Sequence, residues 1–517
     1  MLRRLSSIGC IATALVASCS TAAANSMFSI TSSTSTGYPP CDALVTAGLG
    51  NRVLVATDPE YEPQIQSYWS WGTRRRPYCL VQPHNAQEVS TIMTTLLADD
   101  GVRTGAGDWH IAIRAGGHNL GNSNNIEQGV TIDLKYLNQT TYNPATNIAS
   151  LGPGKKWQDV YAALHQHGVV ATGGRNGDVG VGGFLLGGGS TYYMAQEGFG
   201  CDSIANFEVV LVNGTIVNAN RNENADLWRA LKGGGSNFGI VTRYDMVALP
   251  DKQLARGQRA LSGNYTAPFL DAVAGFTDDQ KKGDADALVG ILVHSGGQDV
   301  LSTIEVNTDG VEKSTAFAKF NEIPQLAPFT QSRQYLYEAA ADSQFSGDAW
   351  ALQTTLTFKN DRKMLNYVAA ANKKLTQSLQ QALGKDAFQT VIFLQPLPSF
   401  YAEISAVKGG NMFADTLKDG NAVLWTGGVL VNTTQADFAV ASARMHETVA
   451  DLESYSMHIG ADHPLRYLNY ASFAQDPLGS YPAESVEYMK SVAAKYDPQG
   501  KFQTRLPGGF KISRVEA

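Results

Sequence analysis

The 517-residue sequence has no surplus of positive charge: 40 lysines and arginines stand against 47 aspartates and glutamates, a net charge of −7. Nucleic acid and anionic membrane surfaces both favour a basic face, so neither is expected as a main partner. The one basic run, Arg74, Arg75 and Arg76, reads as a solvated turn before Pro77. Beyond the N-terminus nothing has the uninterrupted apolar length of a membrane-crossing helix. Internal repeats, heptads and low-complexity tracts are missing apart from a short Ser/Thr-rich stretch near the start, which excludes solenoids and coiled coils. No His/Cys/Asp set has metal-ligand spacing, and no serine sits in a nucleophile elbow, so no metal is expected. His165 and His167 flank one residue of an expected helix and point to different faces.

Cysteine is scarce, with five in the chain. Two of them, Cys10 and Cys19, fall in a segment that reads as a secretory signal over residues 1–24. Arg3 and Arg4 precede an apolar run from Ile8 to Ala17, and small residues Ala22 to Ala24 precede Asn25. The mature protein is therefore expected to be secreted or luminal, without a membrane anchor. Cys41, Cys79 and Cys201 remain, an odd number for an oxidising compartment. Cys41 and Cys79 flank the first mature segment and are expected to pair, leaving Cys201 as a buried thiol. Sequons at Asn138, Asn213, Asn264 and Asn432 fit the same route.

Glycine is abundant, with 51 residues against an average usage of about 7%. The glycines cluster in the first half of the chain. Residues 79–250 alternate Val/Ile-rich runs ("CLVQP", "IAIRAGG", "GVTIDL", "NIASLGPG", "FGIVTRYDMVAL") with helical stretches at 85–101 and 156–168. "FEVVLVNGTIVNAN" reads as a hairpin around Asn213-Gly214. Beyond Pro250 four longer strands, within 287–297, 348–358, 390–398 and 422–432, alternate with helices at 361–383 and 434–453. The expected fold is α+β with two domains: residues 25–250 (core about 75–250) around a cofactor cleft, and 251–465 on a mainly antiparallel sheet. Residues 466–517 are expected to return to the first domain.

Three glycine clusters suggest a ligand. "IRAGGHNLGNSNN" places His118 after two glycines, where turn amides form a nest for anionic oxygens. The same pattern also serves as a tight connection with a partly buried imidazole. "TGGRNGDVGVGGFLLGGGS", residues 172–190, lacks the spacing and the preceding strand of the dinucleotide fingerprint. "ALKGGGSNFGIVT", residues 230–242, is the third. Together they imply a long, phosphate-bearing cofactor.

With "NFEVVLVNGTIVNAN", "YLNY" and "KYDPQGKF", these motifs resemble the berberine bridge enzyme-like branch of the vanillyl-alcohol oxidase flavoproteins, secreted fungal type, from near Cys41 to Lys511. The resemblance implies a two-part FAD-binding domain of the PCMH type and a substrate domain whose sheet roofs the flavin. It makes His118 the covalent anchor of FAD, through a ring nitrogen to the flavin 8α-methyl, with Ala115, Gly116, Gly117, Asn119 and Ser123 on the pyrophosphate. Arg114, Gly174, Val179, Gly182, Gly183, Gly188, Ile240 and Asn469 complete the implied cofactor site. Many relatives carry a second, cysteinyl link; here that position is Asn176, so a single histidyl link is expected. Val179 matches the position governing oxygen access, though a small core residue also suits it.

Tyr467 matches the catalytic tyrosine, able to take a substrate proton if a positive charge or hydrogen bond stabilises its phenolate. Otherwise Tyr467 and Tyr470 are wall or core aromatics. The implied activity is a monomeric oxidase passing hydride from an alcohol or amine carbon to FAD, with dioxygen giving hydrogen peroxide. Its small-molecule substrate is expected to be polyketide-like, with cyclisation coupled to oxidation as a further option. An oligosaccharide oxidase and a non-catalytic flavin-binding module are the alternatives.

Overall fold

The Val/Ile-rich runs of the first half form two sheets. In the computed structural model, which describes residues 35–97, 109–121, 123–344 and 347–515, the first sheet has the order Val53–Leu54, Cys79–Val81, Val130–Asp133, Ile111–Arg114. The signal segment expected at 1–24 and the end of the helix expected to reach residue 101 lie outside the described residues. Cys79–Val81 and Ile111–Arg114 both run parallel to Val130–Asp133. Parallel strands are covered on both faces, which explains their unbroken apolar texture. Helix Ala86–Leu97 covers one face with Val89, Ile92, Met93 and Leu96, the i, i+3, i+4, i+7 set of a buried stripe. A disulfide joins Cys41 to Cys79 at this sheet, and Cys201 is a buried free thiol, as expected. The arginine run lies at the surface, where Asp348 closes on Arg74 at 3.0 Å and Glu62 on Arg76 at 2.7 Å.

The second sheet is antiparallel, in the order Thr140–Asn143, Ile148–Leu151, Ile240–Val247, Ile204–Val210, Ile216–Asn220. Its last two strands are the hairpin around Asn213-Gly214. The second glycine cluster holds a feature the sequence reading did not assign, a short helix Val181–Leu186.

The third sheet has seven strands, all antiparallel: Thr330–Gln334, Leu254–Ser262, Gln298–Asn307, Asp286–Ser295, Phe388–Leu397, Ala422–Val431 and Trp350–Lys359. Four of these were expected, and Leu254–Ser262, Gln298–Asn307 and Thr330–Gln334 extend the sheet on one side. Period-two alternation divides its faces. Leu288, Leu292, Ile392, Leu394 and Trp425 pack with residues of helices Thr266–Asp279, Arg362–Leu383 and Gln435–His458. The opposite face carries Val289, Val391 and Phe393, which pack with the core of the first half.

The C-terminal segment runs beside the first sheet. Phe502 and Leu506 join the apolar cluster of Cys41, Val81 and Ile132, and the Ile111 amide donates to the Arg505 carbonyl at 2.8 Å. Asn237 donates to the Phe510 carbonyl at 3.1 Å. Residues from Thr36 onward form one compact unit. Among the described residues no helix is long and apolar enough to cross a membrane.

Candidate cofactor and substrate cavity

The three glycine loops wall a cavity of about 600 Å³, and the inner face of the seven-stranded sheet roofs it. Ala115, Gly116, Gly117, His118, Asn119 and Ser123 line it from the first loop, and Gly174, Val179, Gly182 and Gly183 from the second. Ile240 from the third loop and Asn469 from the "YLNY" turn line it too. The first two loops press backbone on backbone: a Cβ on Gly116 would lie 2.5 Å from the Gly180 Cα, and one on Gly180 would lie 2.5 Å from the Gly116 Cα. Neither neighbour is a side chain that could swing aside, so both positions need glycine.

Two residues expected on the cofactor do other work. The Arg114 guanidinium lies over the Tyr68 ring at 3.9 Å and donates to the Gln64 carbonyl at 3.0 Å and Ser67 Oγ at 2.7 Å. It supports the first loop from beneath and does not line the cavity. Gly188, at φ +118°, also turns away. A Cβ there would meet the Phe413 ring at 2.7 Å, so this glycine admits a core aromatic.

His118 stands in the wall with its ring stacked on Trp69, centroids 4.9 Å apart. Among the described residues its Nε2 is sealed from solvent and has no hydrogen-bond partner. Burial pushes its pKa down to about 4, only partly opposed by the nearby Asp178 carboxylate. The imidazole is therefore neutral near pH 7 and keeps a nitrogen lone pair for bonding. Asn176 also lines the cavity, and its Oδ1 accepts from the Asp178 amide at 2.9 Å.

The tyrosine assignment needs correction. Tyr467 does not reach the cavity: it is 1% exposed and packed against Phe413, Phe199 and Tyr470. Burial raises its phenol well above the ordinary value of 10, the wrong direction for a proton acceptor. Its backbone is still extended, φ −69° and ψ 116°, where it caps the 3₁₀ turn Leu468–Tyr470, and the turn delivers Tyr470 to the cavity instead. The Tyr470 hydroxyl accepts a hydrogen bond from Arg175 Nη2 at 3.0 Å, and the same nitrogen donates to Gln395 Oε1 on the roof. Tyr470 thus has the positive partner that a phenolate would need. Both residues stand in motifs visible in the sequence, "GGRNGDVG" and "YLNY". Gln395 had no such signal, because only strand register shows which way it faces.

Among the described residues lining the cavity, Arg175 is the one with a formal charge. Val289, Ile304, Leu352, Val391, Phe393 and Leu430 make the roof apolar, and Gln353, Gln389 and Gln395 add neutral amides. Among the described residues no group of His, Cys, Asp and Glu could hold a metal ion.

A long glycine-walled cleft with backbone approached closely, a neutral histidine with an unpartnered nitrogen, and an apolar roof fit a flavin nucleotide and an apolar substrate. The fold and cavity together are those of a flavin-dependent oxidoreductase. A family model described as an FAD binding domain matches residues 77–220. The chain is 34% identical over 480 residues to FAD-dependent monooxygenase drtC of Aspergillus calidoustus, covering 92% of this chain and 90% of that protein. It is 29% identical over 477 residues to the bifunctional solanapyrone synthase of Alternaria solani, covering 91% and 88%. Of solved structures, wild-type BBE-like 1 of Physcomitrella patens is similar with a TM-score of 0.71 at 16% identity, covering 90% of this chain and 98% of that one. The glucooligosaccharide oxidase of Acremonium strictum, named with a 6-S-cysteinyl, 8α-N1-histidyl FAD, also scores 0.71 at 16% identity and covers 92% and 99%. The chain belongs to the berberine bridge enzyme-like family of FAD-linked oxidoreductases, and it is an enzyme.

Proposed function

We propose that the protein is a secreted oxidase acting on an alcohol or amine carbon of an apolar, polyketide-like metabolite. Bound FAD would supply the hydride acceptor, with dioxygen as the final oxidant and hydrogen peroxide as product. The observation that carries this reading is the pairing of Tyr470 with Arg175 beneath an apolar roof. Tyr470, as a phenolate held by the Arg175 N–H donor, takes the substrate hydroxyl proton and becomes the neutral phenol as hydride leaves the substrate carbon. His118 anchors the cofactor covalently through a ring nitrogen. Asn176 has no thiol to offer, so the link is single. Val179, in the cavity wall, sets how closely oxygen approaches.

The domain reading follows the same division. Residues 25–250 hold the cofactor, 251–465 supply the roof over the substrate, and 466–517 bring Tyr470 and the closing tail. Secretion is supported by the Cys41–Cys79 disulfide and by the exposure of Asn138, Asn213, Asn264 and Asn432. An apolar roof without a carboxylate favours a metabolite over an oligosaccharide, whose hydroxyls call for many polar partners.

Monooxygenation is a second reading, favoured by the name of the Aspergillus calidoustus relative. Anaerobic addition of alcohols, amines, sugars and polyketide aldehydes to the purified protein tests the first step through bleaching of its visible absorbance. Aerobic turnover in ¹⁸O₂ then separates the readings: the oxidase yields one H₂O₂ per oxidised substrate and unlabelled product, the monooxygenase labelled product. Acid precipitation checks the anchor, because the colour should stay in the pellet and be lost from it in His118→Ala. Bleaching by no member of the panel overturns the proposal.

A further inference from the structure

We infer that Arg175 is an anion-recognition residue and that the substrate is an apolar organic acid, one bearing a carboxylate or an acidic enol or phenol. The inference rests on the oxidase reading and names its substrate class. Arg175 stands where the second glycine loop meets the roof strand Phe388–Leu397, half-buried in the cavity wall. Both hydrogens of Nη2 are used, on Gln395 Oε1 and the Tyr470 oxygen. Nε and Nη1 have no hydrogen-bond partner among the described residues, and neither is a sealed atom, so three N–H donors are left unused in the guanidinium that borders the cavity.

Four of the protein's other shielded arginines meet a carboxylate, whereas among the described residues Arg229, Arg256 and Arg444 do not. Glu88 closes on Arg52 at 3.0 Å, Glu208 on Arg243 at 2.7 Å, Glu305 on Arg259 at 2.5 Å, and Glu453 closes on Arg466. Among the described residues Arg175 has no carboxylate within ion-pair distance: no other charged side chain lines the large cavity, and in the small cavity that Arg175 also borders, Asp286 is held by Asn307 and Ser314. A half-buried guanidinium with unused N–H donors is suited to meet an anion in charge-assisted hydrogen bonds. Val391 and Phe393, beside it on the roof strand, suit an apolar skeleton, which leaves the acidic group as the part that Arg175 holds. Tyr470 shares the guanidinium, so holding that group also brings the substrate to the proton acceptor.

Calorimetric titration of the flavin-loaded enzyme with 2-naphthoate and with its methyl ester tests this. The acid should bind about 10- to 100-fold more tightly than the ester, the range for one charge-assisted hydrogen bond. Arg175→Gln should bring the two affinities together, and Arg175→Lys should retain part of the preference; retained visible flavin absorbance shows that each variant is folded. If Arg175→Gln loses its flavin, the reduced preference of Arg175→Lys decides. No preference in the wild-type enzyme, including failure of either compound to bind, overturns the inference, as does a preference undiminished in the variants. Binding needs no turnover, so the two readings fail separately. Acid preference without bleaching by any alcohol removes the oxidase reading alone, and bleaching by neutral alcohols without acid preference removes this one alone.

Discussion

The floor and the roof of the cavity are built by opposite means. The floor is backbone: glycine loops whose main chains touch, with Gly116 and Gly180 so close that no Cβ fits between them. The roof is side chain: one face of an antiparallel sheet, where alternate residues such as Gln389, Val391, Phe393 and Gln395 project toward the cavity. A backbone surface presents the same amides whatever sequence surrounds it, and it suits a ligand that never changes. A side-chain surface can be rewritten one residue at a time, and it suits the ligand that distinguishes one relative from another. The chemistry proposed above lies at the seam, where Arg175 of the floor joins Gln395 of the roof and Tyr470 of the C-terminal turn.

The strongest way to break this comparison is a methyl group in the floor. Gly116→Ala must force two backbones apart and should abolish flavin loading, seen as loss of visible absorbance in the purified protein. Gly50→Ala is the control: it lies outside the cavity lining, its φ is −55°, and a Cβ there meets only Val45 Cγ1 at 3.5 Å, an ordinary contact. Its yellow colour should be unchanged.

A titration tests what burial does beside the roof. His463 lies next to Asp462, which bridges to the roof strand at Phe358, and its ring is buried, with the Thr416 backbone beside it. Burial lowers its pKa from 6.5 to about 4. Between those values the unfolded chain binds a proton that the folded chain declines, so stability is complete above pH 6.5 and falls as pH drops toward 4. The full difference is about 3 kcal/mol, and His463→Gln should remove that share of the acid loss in denaturant melts at pH 7 and pH 4.5. In flavin-free protein His118 contributes in the same direction.

Substrate affinity should respond to the roof and not to the floor. Val391→Ala removes apolar surface above the substrate and should raise KM for an apolar substrate by about tenfold, with flavin content unchanged. The smallest effect is expected at Val179. Val179→Leu narrows the approach to the cofactor and should slow reoxidation by oxygen severalfold, with anaerobic reduction hardly altered, as resolved by stopped-flow absorbance.

The floor was more legible in the sequence than the roof, for a physical reason. Positions such as Gly116 and Gly180 tolerate one residue type, so they leave a dense local signature that survives without knowing what lies across from them. Roof residues obtain their meaning from pairing: Gln395 faces the cavity because Phe388–Leu397 lies between Asp286–Ser295 and Ala422–Val431 in one register, and no local pattern states that. The Tyr467 assignment failed within a correctly chosen motif. "YLNY" offers two tyrosines three residues apart, and only the 3₁₀ turn between them shows that the first enters the core and the second the cavity. Arg114 and Gly188 show the converse, residues next to the right loops whose atoms turn toward the scaffold.

The central claim is that the seam, with Tyr470 on Arg175, carries the proton chemistry while Tyr467 is scaffold. The rate of anaerobic flavin reduction by an identified substrate, measured in Tyr470→Phe and Tyr467→Phe side by side, tests it most directly. The account predicts a loss of roughly 10²- to 10⁴-fold in Tyr470→Phe, with flavin still bound, and a near wild-type rate in Tyr467→Phe. Reduction at the wild-type rate in Tyr470→Phe, or the large loss in Tyr467→Phe instead, would contradict it.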